Sequence, residues 1–119
     1  MRLENNFYIV HSLELTDEGA FQGEVELLPE HPIYEGHFPQ QAVVPGVCTL
    51  TIIKECLGRA LQREVGFAAI KECKYLSALL PAEGLALKLD FQLIESQLRG
   101  VVSRVDDSQV VIKLKATIR

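Results

Sequence analysis

The fold of this chain is decided by one apolar stretch, VCTLTIIKECLGRAL, which runs from Val47 to Leu61. Its apolar side chains recur at helical spacing, which predicts an α-helix. Ile52 and Cys56 widen the apolar stripe, so we expect the helix to be buried on most of its sides. The residues predicted to form the stripe are Val47, Leu50, Ile53, Leu57, Ala60 and Leu61.

Strand-like runs lie on both sides of this helix. The run at 85–94 has the clearest alternation of apolar and polar residues, which indicates a strand with one buried face. The expected order is β-β-loop-α-β-β-β, with five strands, and short turns favour antiparallel pairing. We therefore predict a single α+β domain over residues 1–119, with an antiparallel sheet curled around one helix. The runs are Phe7 to Leu15, Ala20 to Leu28, Phe67 to Leu79, Leu85 to Ile94, and a terminal hairpin of Leu98 to Val105 with Val110 to Ile118.

Composition excludes several classes of function. The 119 residues carry a net charge of −4, which argues against nucleic-acid binding because phosphate recognition needs a basic surface. Neither an N-terminal apolar signal core nor a membrane-spanning stretch is present in the sequence, so we expect a cytoplasmic protein. Cys48, Cys56 and Cys73 form no CxxC or Cys/His cluster, so each is interpreted as a small buried apolar residue. No metal or organic cofactor is implied.

The segment at 29–45 differs from the rest of the chain. It holds four of the five prolines and two of the three histidines, which is typical of a long functional loop. Pro45-Gly46 precedes the helix, where backbone N–H groups and the helix dipole favour an oxygen that carries negative charge. His37 has a side chain suited to proton transfer near neutral pH. From spacing alone, a structural role for His37 is an equally good interpretation.

Two motifs in this segment carry a family resemblance. Gly36-His37-Phe38-Pro39 and Val43-Val44-Pro45-Gly46-Val47 resemble the motif GHFPGxPxxPGVLxxE of the hotdog-fold β-hydroxyacyl-acyl-carrier-protein dehydratases of fatty acid synthesis. The element order is similar over nearly the whole chain. Residues 75–90, which include Leu80-Pro81-Ala82-Glu83-Gly84, resemble the family's strand, turn and strand.

The resemblance implies roles for particular residues. His37 matches the catalytic histidine, and Gly46 matches the residue whose backbone N–H holds the thioester carbonyl. Val47, Phe38 and Tyr34 are candidates for the acyl pocket, with core packing as the alternative for the two aromatic residues. The family also implies a homodimer or larger oligomer. Its sites lie between subunits, and its substrates are carried by acyl carrier protein or coenzyme A.

The sequence departs from the family at the catalytic carboxylate. Thr51 stands where the motif has Glu, and a threonine hydroxyl does not titrate near neutral pH. Glu55 lies four residues further along nearly the same helix face and is the favoured substitute, because a buried glutamate needs a partner. Glu35 and Glu30 are further candidates, and a solvated or salt-bridged carboxylate is the alternative for all three.

Three functions remain open on this basis. The first is dehydration of (3R)-hydroxyacyl thioesters, with His37 as general base. The second, motivated by Thr51, is a weak or inactive acyl-binding subunit that completes a partner's site. The third is hydrolysis of acyl thioesters.

Overall fold

The computed structural model describes residues 8–28, 46–77 and 85–119, and for Gly46 and Val47 it describes the backbone alone. This part of the chain contains one helix and six strands, one for each of the six strand-like runs of the sequence. The expected order of five strands had counted the terminal hairpin once, although each of its arms is a strand. The elements are β1 Tyr8–Leu15, β2 Ala20–Leu27, α1 Gly46–Leu61, β3 Phe67–Tyr75, β4 Ala86–Ile94, β5 Gln97–Arg104 and β6 Val110–Ile118.

The strands form one antiparallel sheet in the order β1-β2-β4-β5-β6-β3. The sheet is open, because no described strand joins β1 to β3, and these two strands are its edges. The segment that contains α1 follows β2, and the chain then enters the sheet again at the opposite edge, through β3. The antiparallel α+β architecture predicted from the sequence is confirmed.

Short turns join the strands where the sequence predicts them. Between β1 and β2, the Gly19 N–H donates to the Thr16 carbonyl oxygen over 3.0 Å, and the Ala20 N–H donates to Thr16 Oγ1 over 3.0 Å. Gly19 has a φ of 91°, a conformation that favours glycine. Between β5 and β6, Ser108 has a positive φ and its N–H donates to the Arg104 carbonyl oxygen. Both turns have the composition that predicted them.

The alternation predicted for β2, β4 and β6 matches the buried face of the sheet. Apolar side chains of these strands meet α1 in one continuous core, and removing this surface from water is the main stabilising contribution. On the strands the buried members include Phe21, Val25, Leu27, Leu87, Leu89, Phe91, Ile112, Leu114, Ala116 and Ile118.

The helix buries a different arc from the predicted stripe. Ile53 and Leu57 are buried as expected, but Leu50, Ala60 and Leu61 are only partly buried. The most buried positions follow a spacing of four residues, which turns the buried face away from Leu50 and Ala60. These positions are Cys48, Thr49, Ile52, Ile53, Cys56 and Leu57.

Candidate functional site

The start of the helix coincides with the residue that the family resemblance matches to the carbonyl-binding donor. α1 starts at Gly46, so the Gly46 N–H belongs to the first turn. The first four N–H groups of an α-helix have no acceptor within the helix, and the dipole makes this end positive. The first turn contains no acidic side chain that would offset this positive end. The geometry of the backbone therefore suits an oxygen that gains negative charge.

Thr51 and Glu55 lie on one side of the helix beyond this start. Both side chains are half-buried, and their spacing of four residues separates them by roughly 6 Å along the helix axis. Glu55 Oε1 accepts a hydrogen bond of 2.9 Å from the Tyr8 hydroxyl. The partner predicted for a buried glutamate is therefore present, and it comes from β1 rather than from the loop.

Tyr8 is the functional candidate that sequence reasoning missed. Its side chain is fully buried at the start of β1, and Cys56 Sγ lies 4.0 Å from its hydroxyl oxygen. Burial raises the pKa of Tyr8 well above its ordinary value of 10.0, and the negative charges that Cys56 and Glu55 can carry raise it further. The hydroxyl is therefore a permanent donor to Glu55 near neutral pH. A buried tyrosine hydroxyl needs a hydrogen-bond partner, and a buried glutamate needs a hydrogen-bond donor. These two requirements are the sequence signal that could have indicated the Tyr8–Glu55 pair.

The cysteines of the helix are not reactive groups. Cys48 and Cys56 are 2% and 1% exposed, and burial raises the pKa of the Cys48 thiol. A buried thiol with a raised pKa forms little of the thiolate that nucleophilic chemistry needs. The prediction of small buried residues is confirmed for these two. For Cys73 it is only partly correct, because this residue is half-buried on the edge strand β3.

Several predicted site residues lie outside the described part of the chain. They are His37, Phe38, Tyr34, Glu35 and Glu30, and the side chain of Val47 is also outside it. The structure therefore brings together Gly46, Thr51 and Glu55 on one helix and adds Tyr8.

Residues 8–28, 46–77 and 85–119 contain neither a metal-binding cluster nor a helix that could span a membrane. No group of three or more His, Cys, Asp or Glu side chains in these ranges is arranged to hold a metal ion. Within the same ranges, no helix combines the length and apolar character needed to cross a bilayer.

Comparison with known proteins identifies a dehydratase family. A model of the ApeI-like family, described as ApeI dehydratase, matches residues 13–113. Among curated proteins, the 3-hydroxyacyl-[acyl-carrier-protein] dehydratase FabZ of Chlamydia pneumoniae is 31% identical over 75 residues, covering 56% of this chain and 49% of the relative. FabZ of Pasteurella multocida is 29% identical over 94 residues, covering 71% and 62%. The chain thus spans about half to three fifths of the length of these relatives.

Solved structures support the hotdog fold. The dehydratase heterocomplex ApeI:P from Xenorhabdus doucetiae contains a chain with a TM-score of 0.77 at 22% identity, covering 92% of this chain and 96% of that one. A hypothetical thioesterase from Streptococcus pneumoniae, solved with coenzyme A, has a TM-score of 0.63 at 11% identity, covering 93% and 83%. At these identities the likeness extends to the fold alone.

Proposed function

The chain belongs to the ApeI-like family of dehydratases, and from this membership we propose that it removes water from (3R)-hydroxyacyl groups carried as thioesters by acyl carrier protein or coenzyme A. The observation that carries the proposal is the family match over residues 13–113, which spans both the histidine motif and the helix start. FabZ relatives named as acyl-carrier-protein dehydratases support the substrate class. We expect the protein to work in the cytoplasm, in fatty acid synthesis or a related pathway, as a homo-oligomer.

In the proposed reaction, the thioester carbonyl binds at the N-terminus of α1. The Gly46 N–H holds the oxygen there, and the positive end of the helix stabilises the enolate-like charge that develops on it. Val47, Phe38 and Tyr34 are proposed to line the acyl chain's path.

The elimination itself moves one proton and one hydroxide. His37 removes a proton from C2, a double bond forms between C2 and C3, and the C3 hydroxyl leaves as water with a second proton. That second proton comes from Glu55, from a water oriented by Thr51, or from His37 itself in a syn elimination. We favour Glu55, because Tyr8 fixes one of its carboxyl oxygens and thereby orients the group.

The decisive experiment is turnover of a 3-hydroxyacyl thioester, with hydration of crotonyl thioester as the reverse reaction. We expect His37→Ala to lower kcat/KM by roughly 10²–10⁴-fold, the usual cost of losing a positioned acid–base group. His11→Ala is the matched control, because His11 is an exposed β1 residue that pairs only with Glu26 in the described structure. A wild-type rate no higher than that of His37→Ala would reject the dehydratase proposal.

Thr51→Glu separates an intact site from a diverged one. If the pocket still binds the substrate, restoring the family carboxylate raises the rate strongly. If the chain is a weak or inactive acyl-binding subunit, the rate stays near zero. A specific observation favours this second candidate, because the Xenorhabdus doucetiae relative is described as a heterocomplex. Co-purification of a paralogous subunit from the native host would support it.

Thioester hydrolysis is the weaker alternative. The thioesterase-like neighbours share the fold at 11–12% identity, which carries no activity with it. Release of free thiol from acyl thioesters, without loss of water, would favour hydrolysis over dehydration.

A further inference from the structure

The outer face of the sheet, on the side away from α1, carries a cluster of basic side chains on β5 and β6. Arg99 of β5, and Lys113 and Lys115 of β6, are exposed residues next to buried ones on the same strands, so their side chains point to this face. They line a groove of about 710 Å³, which crosses the strands from the turn between β1 and β2 to β3. A groove of this volume is large enough for a small ligand.

Like charges stand directly opposite each other on these strands. Arg99 is the cross-strand partner of Lys115, and Lys113 is the cross-strand partner of Lys74 on β3. The Cβ atoms of such partners lie roughly 4.5–5.5 Å apart, and like charges in this position destabilise a sheet. The chain as a whole has a net charge of −4, so this local excess of positive charge is not a general property of its surface. An anion bound between the cations would remove the repulsion.

The chain's own carboxylates neutralise only part of the cluster. Glu72 Oε1 lies 3.1 Å from Lys74 Nζ, and Glu72 Oε2 lies 3.8 Å from Lys115 Nζ. Within the described part of the chain, Arg99 and Lys113 take part in no ion pair and no side-chain hydrogen bond. These two residues are diagonal neighbours on adjacent strands, with Cα atoms roughly 7–8 Å apart. Their long side chains can therefore reach one anionic group placed between them.

We propose that this groove binds a phosphate ester, whose phosphate group is held by Arg99, Lys113 and Lys115. Guanidinium and ammonium groups are the side-chain groups that bind phosphate in proteins, and Arg99 can do so through two parallel hydrogen bonds. Val101, the cross-strand partner of Lys113, lines the groove with a short side chain that leaves space above the sheet. Because the groove and α1 lie on opposite sides of the sheet, this site is independent of the reaction proposed for His37.

The carboxylates that line the groove restrict the rest of the ligand. Glu18 and Asp90 both line it, and they would repel a second anionic group. Carboxylate oxygens accept hydrogen bonds from hydroxyl or amine groups. Asp90 Oδ1 already accepts one of 3.3 Å from Gln22 Nε2. The ester of a hydroxylated compound therefore fits the groove better than a polyphosphate does, and it can come from a soluble metabolite or from a lipid headgroup.

Ribose 5-phosphate is the probe for a soluble ester. At fixed ionic strength we expect it to raise the Tm of the wild type, because a ligand that binds only the folded state stabilises it, whereas ribose should not. Calorimetry should show that Arg99→Gln and Lys113→Gln each weaken binding about fivefold or more. Lys88→Gln is the matched control, because Lys88 is an exposed residue of β4 that does not line the groove, and this variant should bind like the wild type.

The Tm of each variant without ligand gives a second readout. Arg99→Gln removes the repulsion with Lys115, and Lys113→Gln removes the repulsion with Lys74, so neither change should lower the Tm. An unchanged or higher Tm without the ester, together with a lost response to it, would support a binding role. A lower Tm without the ester would show that the two cations serve the fold instead, and would contradict the proposal.

Vesicles distinguish the two sources of the ester. If the ligand is a lipid headgroup, the protein should sediment with phosphatidylglycerol vesicles but not with phosphatidylcholine vesicles, and both glutamine variants should lose this binding. Binding of ribose 5-phosphate without vesicle binding would identify a soluble ester. An equal response of the wild type and both variants, or no response to either probe, would reject the site, and neither result would affect the proposed dehydration.

Discussion

At one edge of the sheet, β1 is fastened to the helix, and at the other edge, β3 presents apolar side chains to solvent. The fully buried Tyr8 connects β1 to Glu55 of α1 by a hydrogen bond of 2.9 Å. β1 also has a bulge at His11, between Val10 and Ser12, and a bulge on an edge strand discourages pairing with another chain. Tyr75 of β3, by contrast, is 53% exposed beside the half-buried Cys73.

The two edge strands of this sheet therefore differ in their contacts with the rest of the chain. The β1 edge is held against α1 by the hydrogen bond from the Tyr8 hydroxyl to Glu55, a carboxylate of the candidate site. The β3 edge has no neighbouring strand on its outer side in the described structure. Each edge carries a tyrosine and a nearby glycine, and these pairs allow the comparison to be tested residue against residue.

The largest contrast is expected between Tyr8→Phe and Tyr75→Phe. Tyr8→Phe removes the hydroxyl that donates to Glu55 in a buried place, and we expect it to lower the free energy of unfolding by about 1.5–3 kcal/mol. Tyr75→Phe removes an exposed hydroxyl and should change it by less than about 0.5 kcal/mol. Urea denaturation followed by circular dichroism measures both values. Equal losses in the two variants would show that β1 is no more firmly fastened than β3.

A second contrast concerns glycines near the two edges. A Cβ added at Gly23 of β2 would lie 2.7 Å from Leu13 Cδ2 and 2.9 Å from the Ser12 carbonyl oxygen on β1. The backbone oxygen cannot yield easily, so Gly23→Ala should cost about 1–3 kcal/mol of unfolding free energy. At Gly66, next to β3, the nearest atom is Nε of the Arg119 side chain at 3.1 Å, which can swing aside.

We therefore expect Gly66→Ala to change the free energy of unfolding by less than about 0.5 kcal/mol. Thermal or urea unfolding of both alanine variants provides the measurement. If Gly66→Ala lowered the free energy of unfolding more than Gly23→Ala, the view that the β1 edge is the more closely packed of the two would be wrong.

The strands and the helix differ in how well the sequence predicts their buried faces. The buried face of β4 was predicted correctly from its strict alternation, because Leu87, Leu89 and Phe91 are all buried in the same core. The apolar stripe of α1 was less well predicted, because the helix carries apolar residues on several arcs and only the tertiary packing selects one. The arc that is buried includes Thr49, a polar residue at 3% exposure that no apolar pattern would select.

The candidate site likewise combines features that local sequence predicts with features that only the tertiary structure determines. Local sequence signals predict a helix that starts directly after Pro45-Gly46, and in the structure α1 starts at Gly46, one residue earlier. The Tyr8–Glu55 contact joins residues 47 positions apart, so it depends on how β1 lies against α1 and has no local signature. The open β3 edge was equally hidden, because the exposure of Ile70 and Tyr75 depends on the strand order rather than on their own segment. The roles of His37, Phe38 and Tyr34 remain predictions.

The smallest effect is expected in alkaline solution, where the tyrosines of the two edges should again differ. Burial, followed by the contact with Cys73, raises the pKa of Tyr75 to about 12, and the pKa of Tyr8 is raised further, first by burial. In the unfolded chain both groups lose their proton near pH 10. Above that pH the folded state therefore holds more protons than the unfolded state, and its stability falls as the pH rises.

Each tyrosine can contribute a slope of at most about 1.4 kcal/mol per pH unit. Tyr8→Phe should flatten the loss of stability above pH 10, because it removes the group whose ionisation is opposed most strongly by burial. Tyr75→Phe should flatten it to a similar degree up to about pH 12 and not beyond, because the folded state gives up the Tyr75 proton near that pH. Urea midpoints at intervals from pH 9 to pH 13 for the wild type and both variants give the slopes. A larger flattening by Tyr75→Phe than by Tyr8→Phe would contradict the assignment of Tyr8, at the β1 edge, as the more strongly buried of the two tyrosines.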